Sequence, residues 1–263
     1  MTERRRAVVT GAAARIGRAI SLDLAATGWD VALHYRGSKE NAEQTAAEAE
    51  ALGARTTLVQ ADLFQEAETA KVIASAATGL GGPICLLVNN ASWFELDEIH
   101  SMTRDTWDRA IESNLRAPVK LTQDFAAQAP KAVTDENGEP VAQSVVINLI
   151  DQRVLKPTPL FMSYLIAKSG LKTFTLTAAQ ALGPDIRVAG IGPGPTIVAE
   201  GQTDAHFAKQ RSACALGRGS DPEDIVNAVR FVLSNKAFTG QMLAIDGGQH
   251  ILWQTPDIVG DGA

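Results

Sequence analysis

Short, unbroken apolar runs alternate along the chain with longer segments in which apolar residues return every three or four positions. Runs of the first kind read as buried strands, and segments of the second as helices. Arg6–Thr10 (RAVVT) predicts a first strand, followed at once by the turn Gly11–Gly17 (GAAARIG) and a helix to Thr27. Asp30–His34 predicts a second strand, Glu40–Leu52 an alanine-rich helix, Arg55–Gln60 a third strand and Gln65–Thr78 a third helix. Ile84–Val88 is a fourth strand. Thr103–Ala129 reads as one long helix with a kink expected at Pro118, and Lys131–Gln143 as a polar, exposed loop. Ser144–Leu149 is a fifth strand, Phe161–Leu182 a helix and Ile186–Ile191 a sixth strand. The weakly periodic stretch Ile197–Ser220 predicts a mobile loop with a short helix. Asp221 and Pro222 then open another helix, as N-cap and first helical residue, and Met242–Ile245 is a seventh strand. Alternation of this kind predicts a parallel sheet with helices on both faces. No linker, internal repeat or low-complexity segment interrupts it, so residues 1–263 are expected to form a single α/β domain.

Composition narrows the class. The chain is 45% hydrophobic and 21% charged, the balance of an ordinary globular protein. A net charge of −6 leaves no basic excess to meet phosphates, which excludes a nucleic-acid footprint. Cys85 and Cys214 make neither a disulfide framework nor a metal spacing. No metal is expected. The opening residues MTERRRAVVTG lack a secretory apolar run and no segment has the length to span a bilayer, so the expectation is a cytoplasmic protein without a membrane partner.

Candidate chemistry gathers around Asp151–Lys168 (DQRVLKPTPLFMSYLIAK). Tyr164 and Lys168 are four residues apart on a predicted helix and therefore share a face. An ammonium there is expected to lower the phenol from its usual value near 10 and make it a proton donor for hydride-transfer chemistry. The spacing alone is more simply that of a solvated helix face. At the other end, strand, glycine turn and helix aim backbone N–H groups at a pyrophosphate. The second strand ends His34-Tyr35-Arg36-Gly37-Ser38, without the carboxylate that holds an NAD ribose. Arg36, Ser38 and Arg15 instead suit a 2′-phosphate, which wants forked charged donors. NADPH is the cofactor expected. Asp62 reads either as an acceptor for the adenine amine or as an N-cap. Asn89 and Ala91 follow the fourth strand, where their backbone would face the adenosine ribose.

Thr10-Gly11-x5-Gly17, Asn89-Asn90-Ala91, Asn114, Tyr164-x3-Lys168 and Pro193-Gly194 together resemble the short-chain dehydrogenases/reductases from about Ala7 to Gly248. The resemblance implies a doubly wound Rossmann-type fold with a seven-stranded parallel sheet, and a homotetramer. Carried over, Tyr164 is the proton donor, Lys168 binds the nicotinamide ribose and tunes Tyr164, and Asn114 holds a water in the proton relay. The cofactor set implied is Gly11, Arg15, Ile16, Gly17, His34, Tyr35, Arg36, Ser38, Asp62, Leu63, Asn89, Ala91, Ser92, Tyr164, Lys168, Pro193, Gly194 and Thr196. Asp151 departs from the pattern, for it stands where the family's catalytic serine lies, thirteen residues before the tyrosine. An ionised aspartate cannot donate to a carbonyl oxygen, which disfavours simple ketone reduction. It suits a heterocycle rich in N–H donors, and once protonated it can deliver a proton to a ring nitrogen.

TGAAARIG (Thr10–Gly17), LHYRGS (Leu33–Ser38), NNASWF (Asn89–Phe94) and Asp151 are similar to the pteridine reductase branch. That branch implies reduction of a 7,8-dihydropterin, of the dihydromonapterin, dihydrobiopterin or dihydrofolate class. Ser92, Phe94, Asp151 and Tyr164 would then bind substrate, with Phe94 stacking the pterin against the nicotinamide. Trp93 and Phe94 would otherwise simply pack their loop. His206, Arg211 and Arg218, in the loop expected to close over substrate, would meet a polar side chain or remain solvated. In the tail 249–263, Ile251, Leu252 and Trp253 would reach a neighbouring subunit or pack on their own. An NADPH-dependent carbonyl or 3-oxoacyl reductase is the rival within the family. A non-catalytic NADPH-binding sensor or scaffold is the rival outside it, with no use for a Tyr164–Lys168–Asn114 relay.

Overall fold

Alternation along the strands decides how the sheet is covered. In β1 (Arg5–Val9), Ala7 and Val9 enter the apolar cluster on one face and Val8 the cluster on the other, as the two-residue period of a strand requires. The computed structural model describes residues 4–199 and 201–253. After β1 come α1 (Arg15–Ala26), β2 (Trp29–Tyr35), α2 (Lys39–Ala51), β3 (Thr56–Gln60), α3 (Glu66–Thr69), α4 (Val72–Leu80) and β4 (Leu86–Asn89). Then follow α5 (Arg104–Ile111), α6 (Ala117–Gln128), β5 (Val133–Thr134), β6 (Pro140–Val141), β7 (Ser144–Leu149), α7 (Met162–Leu182) and β8 (Ile186–Pro193). The remaining elements are α8 (Asp204–Ser212), α9 (Pro222–Ser234) and β9 (Met242–Ile245).

Seven of these strands form one sheet in the order β3-β2-β1-β4-β7-β8-β9, and every neighbouring pair is parallel. Ile20 and Leu24 of α1 and Ile225 and Val229 of α9 cover one face, while Ile73 of α4, Leu121 and Phe125 of α6 and Ala178 of α7 cover the other. This is the expected doubly wound Rossmann-type sheet. Strand order reverses between β1 and β4, so the loops leaving their carboxyl ends part and open a crevice there.

Three expectations are corrected. The third helix is two short ones, α3 and α4, a break the alanine-rich pattern does not mark. The long helix is interrupted by a π turn at Glu112–Arg116, just before Pro118 and not at it. Pro118 has no N–H for the carbonyl of Asn114 four residues earlier, so the regular ladder cannot run through. The loop Lys131–Gln143 contains the antiparallel hairpin β5–β6, whose tip is tied by Asp135 Oδ1 accepting from the N–H groups of Asn137 (2.9 Å) and Glu139 (3.0 Å). As expected, Pro222 lies in the first turn of α9, with the Asp221 N–H donating to Asp224 at 2.7 Å. No helix among the described residues is long and apolar enough to cross a membrane. Ile251 and Trp253 are exposed and Leu252 is half-buried, while residues 254–263 of the tail lie outside the described residues.

Candidate active site

The glycine turn between β1 and α1 is tied from three sides. Gly11 has φ +64°, and a Cβ on Gly17 would meet the Gly11 carbonyl oxygen at 2.2 Å. Both positions therefore need glycine, and the helix N-terminus can approach the turn closely. Thr10 Oγ1 accepts from the N–H groups of Asn90 and Ala91, both at 2.9 Å, and Asn90 Nδ2 donates back to the Thr10 carbonyl at 2.8 Å. His34 completes the brace. Its Nδ1 accepts from the Gly11 N–H at 3.2 Å while Nε2 faces the Ala61 carbonyl at 3.1 Å, which assigns the proton to Nε2. Burial lowers its pKa to about 4, so the ring stays neutral.

Several residues of the expected cofactor set act behind the cleft. His34 holds the turn, Tyr35 packs with Ala13 and Ala42, and Leu63 belongs to the core beneath the sheet. Ile16 is half-buried against the opposite cluster. The two cations, Arg15 and Arg36, and Ser38 have different neighbours. Arg15, at φ +55°, turns to the first residues of the 197–220 loop and donates to the carbonyls of Val198 (2.8 Å) and Ile197 (3.2 Å). Arg36 remains at the end of β2, exposed and 5.3 Å from the Phe64 ring centre, and Ser38 precedes α2. Asp62 does not cap α3, a place held by Gln65; its Oδ1 accepts from the Phe64 N–H at 3.1 Å. Asn89 is buried, and its Nδ2 donates to Asn148 at 2.8 Å. At the end of β8, Pro193 and Gly194 lead to Thr196, whose hydroxyl meets that of Ser220 at 2.6 Å. Glycine turn, helix N-terminus and the absence of an acid after β2 fit a nicotinamide dinucleotide carrying a 2′-phosphate.

The proton-bearing groups meet at the carboxyl ends of β4 and β7. Tyr164, on the first turn of α7, donates its hydroxyl proton to Asp151 Oδ2 at 2.8 Å, and Asp151 Oδ1 accepts from the Arg153 N–H at 2.8 Å. Lys168 Nζ donates to the Leu149 carbonyl at 2.7 Å and lies 5.7 Å from the centre of the Tyr164 ring. Burial raises Asp151 above the usual aspartate range, against the pull of the Arg153 N–H and charge. Burial and the adjoining Asp151 carboxylate push Tyr164 well above 10. Burial brings Lys168 down to about 8. The expectation that Lys168 lowers Tyr164 is therefore reversed here. Burial is the larger cause, and the carboxylate that touches the hydroxyl directly adds to it.

Asn114, in the π turn, acts on the loop beside the tyrosine. Its Oδ1 accepts from Ser92 Oγ (2.7 Å) and the Trp93 N–H (3.0 Å), and its Nδ2 donates to the Trp93 carbonyl (2.8 Å). The side chain is thus a loop clamp, a role the resemblance did not imply. The clamp positions Phe94, which lies edge-on to Tyr164 with ring centres 4.8 Å apart. Its ring also stacks on Phe161, at 4.3 Å and 12° between planes. Among the candidate loop cations, Arg211 pins Pro195, Ser220 and Asp221. Arg218 pairs with Asp221 at 2.6 Å, and His206 is exposed.

Sequence reasoning missed Asp97. Buried, it accepts from the Ser163 N–H at 3.1 Å and from the Ser163 hydroxyl, anchoring the start of α7 across 66 residues of sequence. No local signal marks a contact of that separation.

A family model described as enoyl-(acyl carrier protein) reductase matches residues 11–250. FolM alternative dihydrofolate reductase 1 from Brucella suis, solved in complex with NADP, is 40% identical, with a TM-score of 0.90 over 98% of this chain and 100% of its own. The same-named protein from Brucella canis, also complexed with NADP, is 40% identical with a TM-score of 0.89 over 97% of each chain. The 3-oxoacyl-(acyl-carrier-protein) reductase FabG of Staphylococcus aureus is 30% identical over 250 residues, which is 93% of this chain and 98% of that protein. The chain belongs to the short-chain dehydrogenases/reductases, a family of nicotinamide-dependent oxidoreductases.

Proposed function

We propose that the protein reduces a dihydropteridine, a 7,8-dihydropterin or dihydrofolate, to its tetrahydro form with NADPH. The observation that carries this reading is the bond from Tyr164 to Asp151 at 2.8 Å. A serine in that place would offer a hydroxyl to a carbonyl oxygen, whereas the carboxylate accepts from ring and amine N–H groups and, when protonated, donates to a ring nitrogen. The similarity to two proteins named as dihydrofolate reductases supports the same substrate class.

NADPH, when bound, supplies the hydride for a ring C=N bond. Arg36 answers its 2′-phosphate, and the turn Gly11–Gly17 with the N-terminus of α1 receives the pyrophosphate. Asp151 and Tyr164 hold one transferable proton between them beside the ring nitrogen, and Lys168 sets the local positive charge. Phe94, steadied by Asn114, forms the apolar wall against which a flat heterocycle stacks.

The alternative is reduction of a 3-oxoacyl carbonyl, favoured by the likeness to FabG and by the Tyr164–Lys168 pair, which serves either reaction. Absorbance of NADPH, followed with dihydromonapterin, dihydrobiopterin, dihydrofolate and a set of ketones and 3-oxoacyl thioesters, separates the two. Oxidation with the dihydropteridines and not with the carbonyl compounds supports the proposal. Oxidation with the carbonyl compounds alone overturns it.

A further inference from the structure

Fifteen arginines occur in the chain. Among the described residues, thirteen have a guanidinium engaged by a carboxylate or a carbonyl, as Arg18 is by Glu48, Arg55 by Asp30, Arg15 by Val198 and Arg187 by Val232. Among the described residues, Arg36 and Arg153 have no acceptor of either kind. Each lies instead against a pair of aromatic rings. Arg36 faces Phe64 at 5.3 Å and Trp93 at 5.8 Å, and Arg153 faces Phe161 at 4.8 Å and Phe94 at 5.5 Å. Stacking on rings holds a guanidinium in place and leaves its N–H edge open to a ligand. Arg36 stands at the cofactor end of the crevice, where a phosphate is expected. Arg153 stands at the substrate end, two residues from Asp151.

The rings under Arg153 are themselves a built feature. Phe161 is held at φ +59°, a conformation unfavourable for a bulky side chain. The hydrogen bonds of Met162 and Ser163 to Asp97 fix the backbone immediately after it. Phe94 is 42% exposed, and Leu155 and Leu160, on the segment that carries Arg153, are 39% and 42% exposed. An open apolar rim beside an unfilled guanidinium suits a substituent that is aromatic along its length and anionic at its end.

Building on the dihydropteridine reading, we propose that Arg153 is a specificity-determining residue that takes the carboxylate of an anionic aryl-amide tail on the substrate. The site then favours a folate-type dihydropteridine over one with a neutral side chain. A guanidinium–carboxylate contact in a partly dry site makes a difference of about tenfold or more.

The test compares kcat/KM for dihydrofolate and for dihydrobiopterin in the wild type, Arg153→Ala and Arg153→Lys. NADPH binding, followed by fluorescence, confirms that each variant is folded. Because both substrates bring the same ring to Asp151, the ratio of the two values reports the tail alone. The ratio is expected to fall about tenfold or more in Arg153→Ala and by less in Arg153→Lys. p-Aminobenzoylglutamate is expected to compete in the wild type and to lose that effect in Arg153→Ala. An unchanged ratio, with inhibition equal in both proteins, overturns the inference while leaving the dihydropteridine reading intact. A wild type that reduces neither compound overturns both.

Discussion

The Tyr164 hydroxyl points at Asp151, 2.8 Å away, and not at Lys168, whose ammonium is bonded to the Leu149 carbonyl. The phenol therefore holds its proton firmly, and the carboxyl beside it is raised by burial, so the pair behaves as one acid with a shared proton. Replacing Tyr164 by Phe removes the hydroxyl and leaves Asp151 with only the Arg153 N–H. Turnover in Tyr164→Phe is expected to fall about 10²- to 10⁴-fold, the usual worth of a positioned proton donor. Initial rates of NADPH oxidation measure it, and full activity in the variant would count against the relay.

Lys168 carries a pH dependence with a definite sign. Its pKa is lowered to about 8 by burial, so the ammonium present below that value is lost as pH rises through it. A cation that acts on Asp151 then disappears, and the rate is expected to decline above about pH 8. Arg cannot lose its proton in this range. Lys168→Arg should therefore be slower throughout and lack that alkaline limb. A profile of kcat from pH 6 to 10 with the same limb in both proteins would place the titration elsewhere.

His34 makes a prediction about stability. Its folded-state pKa of about 4 lies below the unfolded value of 6.5, so between those limits the unfolded chain binds more protons. Stability then rises with pH across the window. The contribution is complete above about pH 6.5 and is lost as pH falls toward 4, by about 3 kcal/mol at most. Urea unfolding midpoints of the wild type should drop over this range. In His34→Gln, less stable at pH 7 because the brace on Gly11 is altered, the drop should be shallower. Parallel curves for the two proteins would refute the assignment.

How much of this was legible in the sequence depended on whether the signal was local. The seven strands and the helix carrying Tyr164 and Lys168 were readable because period two and period three-to-four are properties of adjacent residues. Asp221 and Pro222 marked the start of α9 for the same reason. The π turn was not readable, since the pattern from Thr103 to Ala129 stays apolar at helical spacing while only the proton missing from Pro118 disturbs the ladder. Asp151 is legible as a departure from the family pattern, but its bond to Tyr164 and its effect on that phenol are not. Spacing shows that Lys168 is one turn away but not that its ammonium is bonded to Leu149. The sequence groups Arg15 with Arg36, and only the fold shows it donating to the carbonyls of Ile197 and Val198. The Asp97–Ser163 anchor and the clamp of Asn114 on Trp93 are tertiary contacts with no local trace.

Asp151→Ser tests the central claim most directly. The substitution exchanges the carboxylate for the hydroxyl that suits a carbonyl oxygen and leaves Tyr164 and Lys168 in place. Measured as kcat/KM with NADPH, activity on a dihydropteridine is expected to fall about 100-fold or more, while activity on a ketone or 3-oxoacyl thioester rises from its low starting value. Dihydropteridine activity that survives the exchange undiminished would contradict the account.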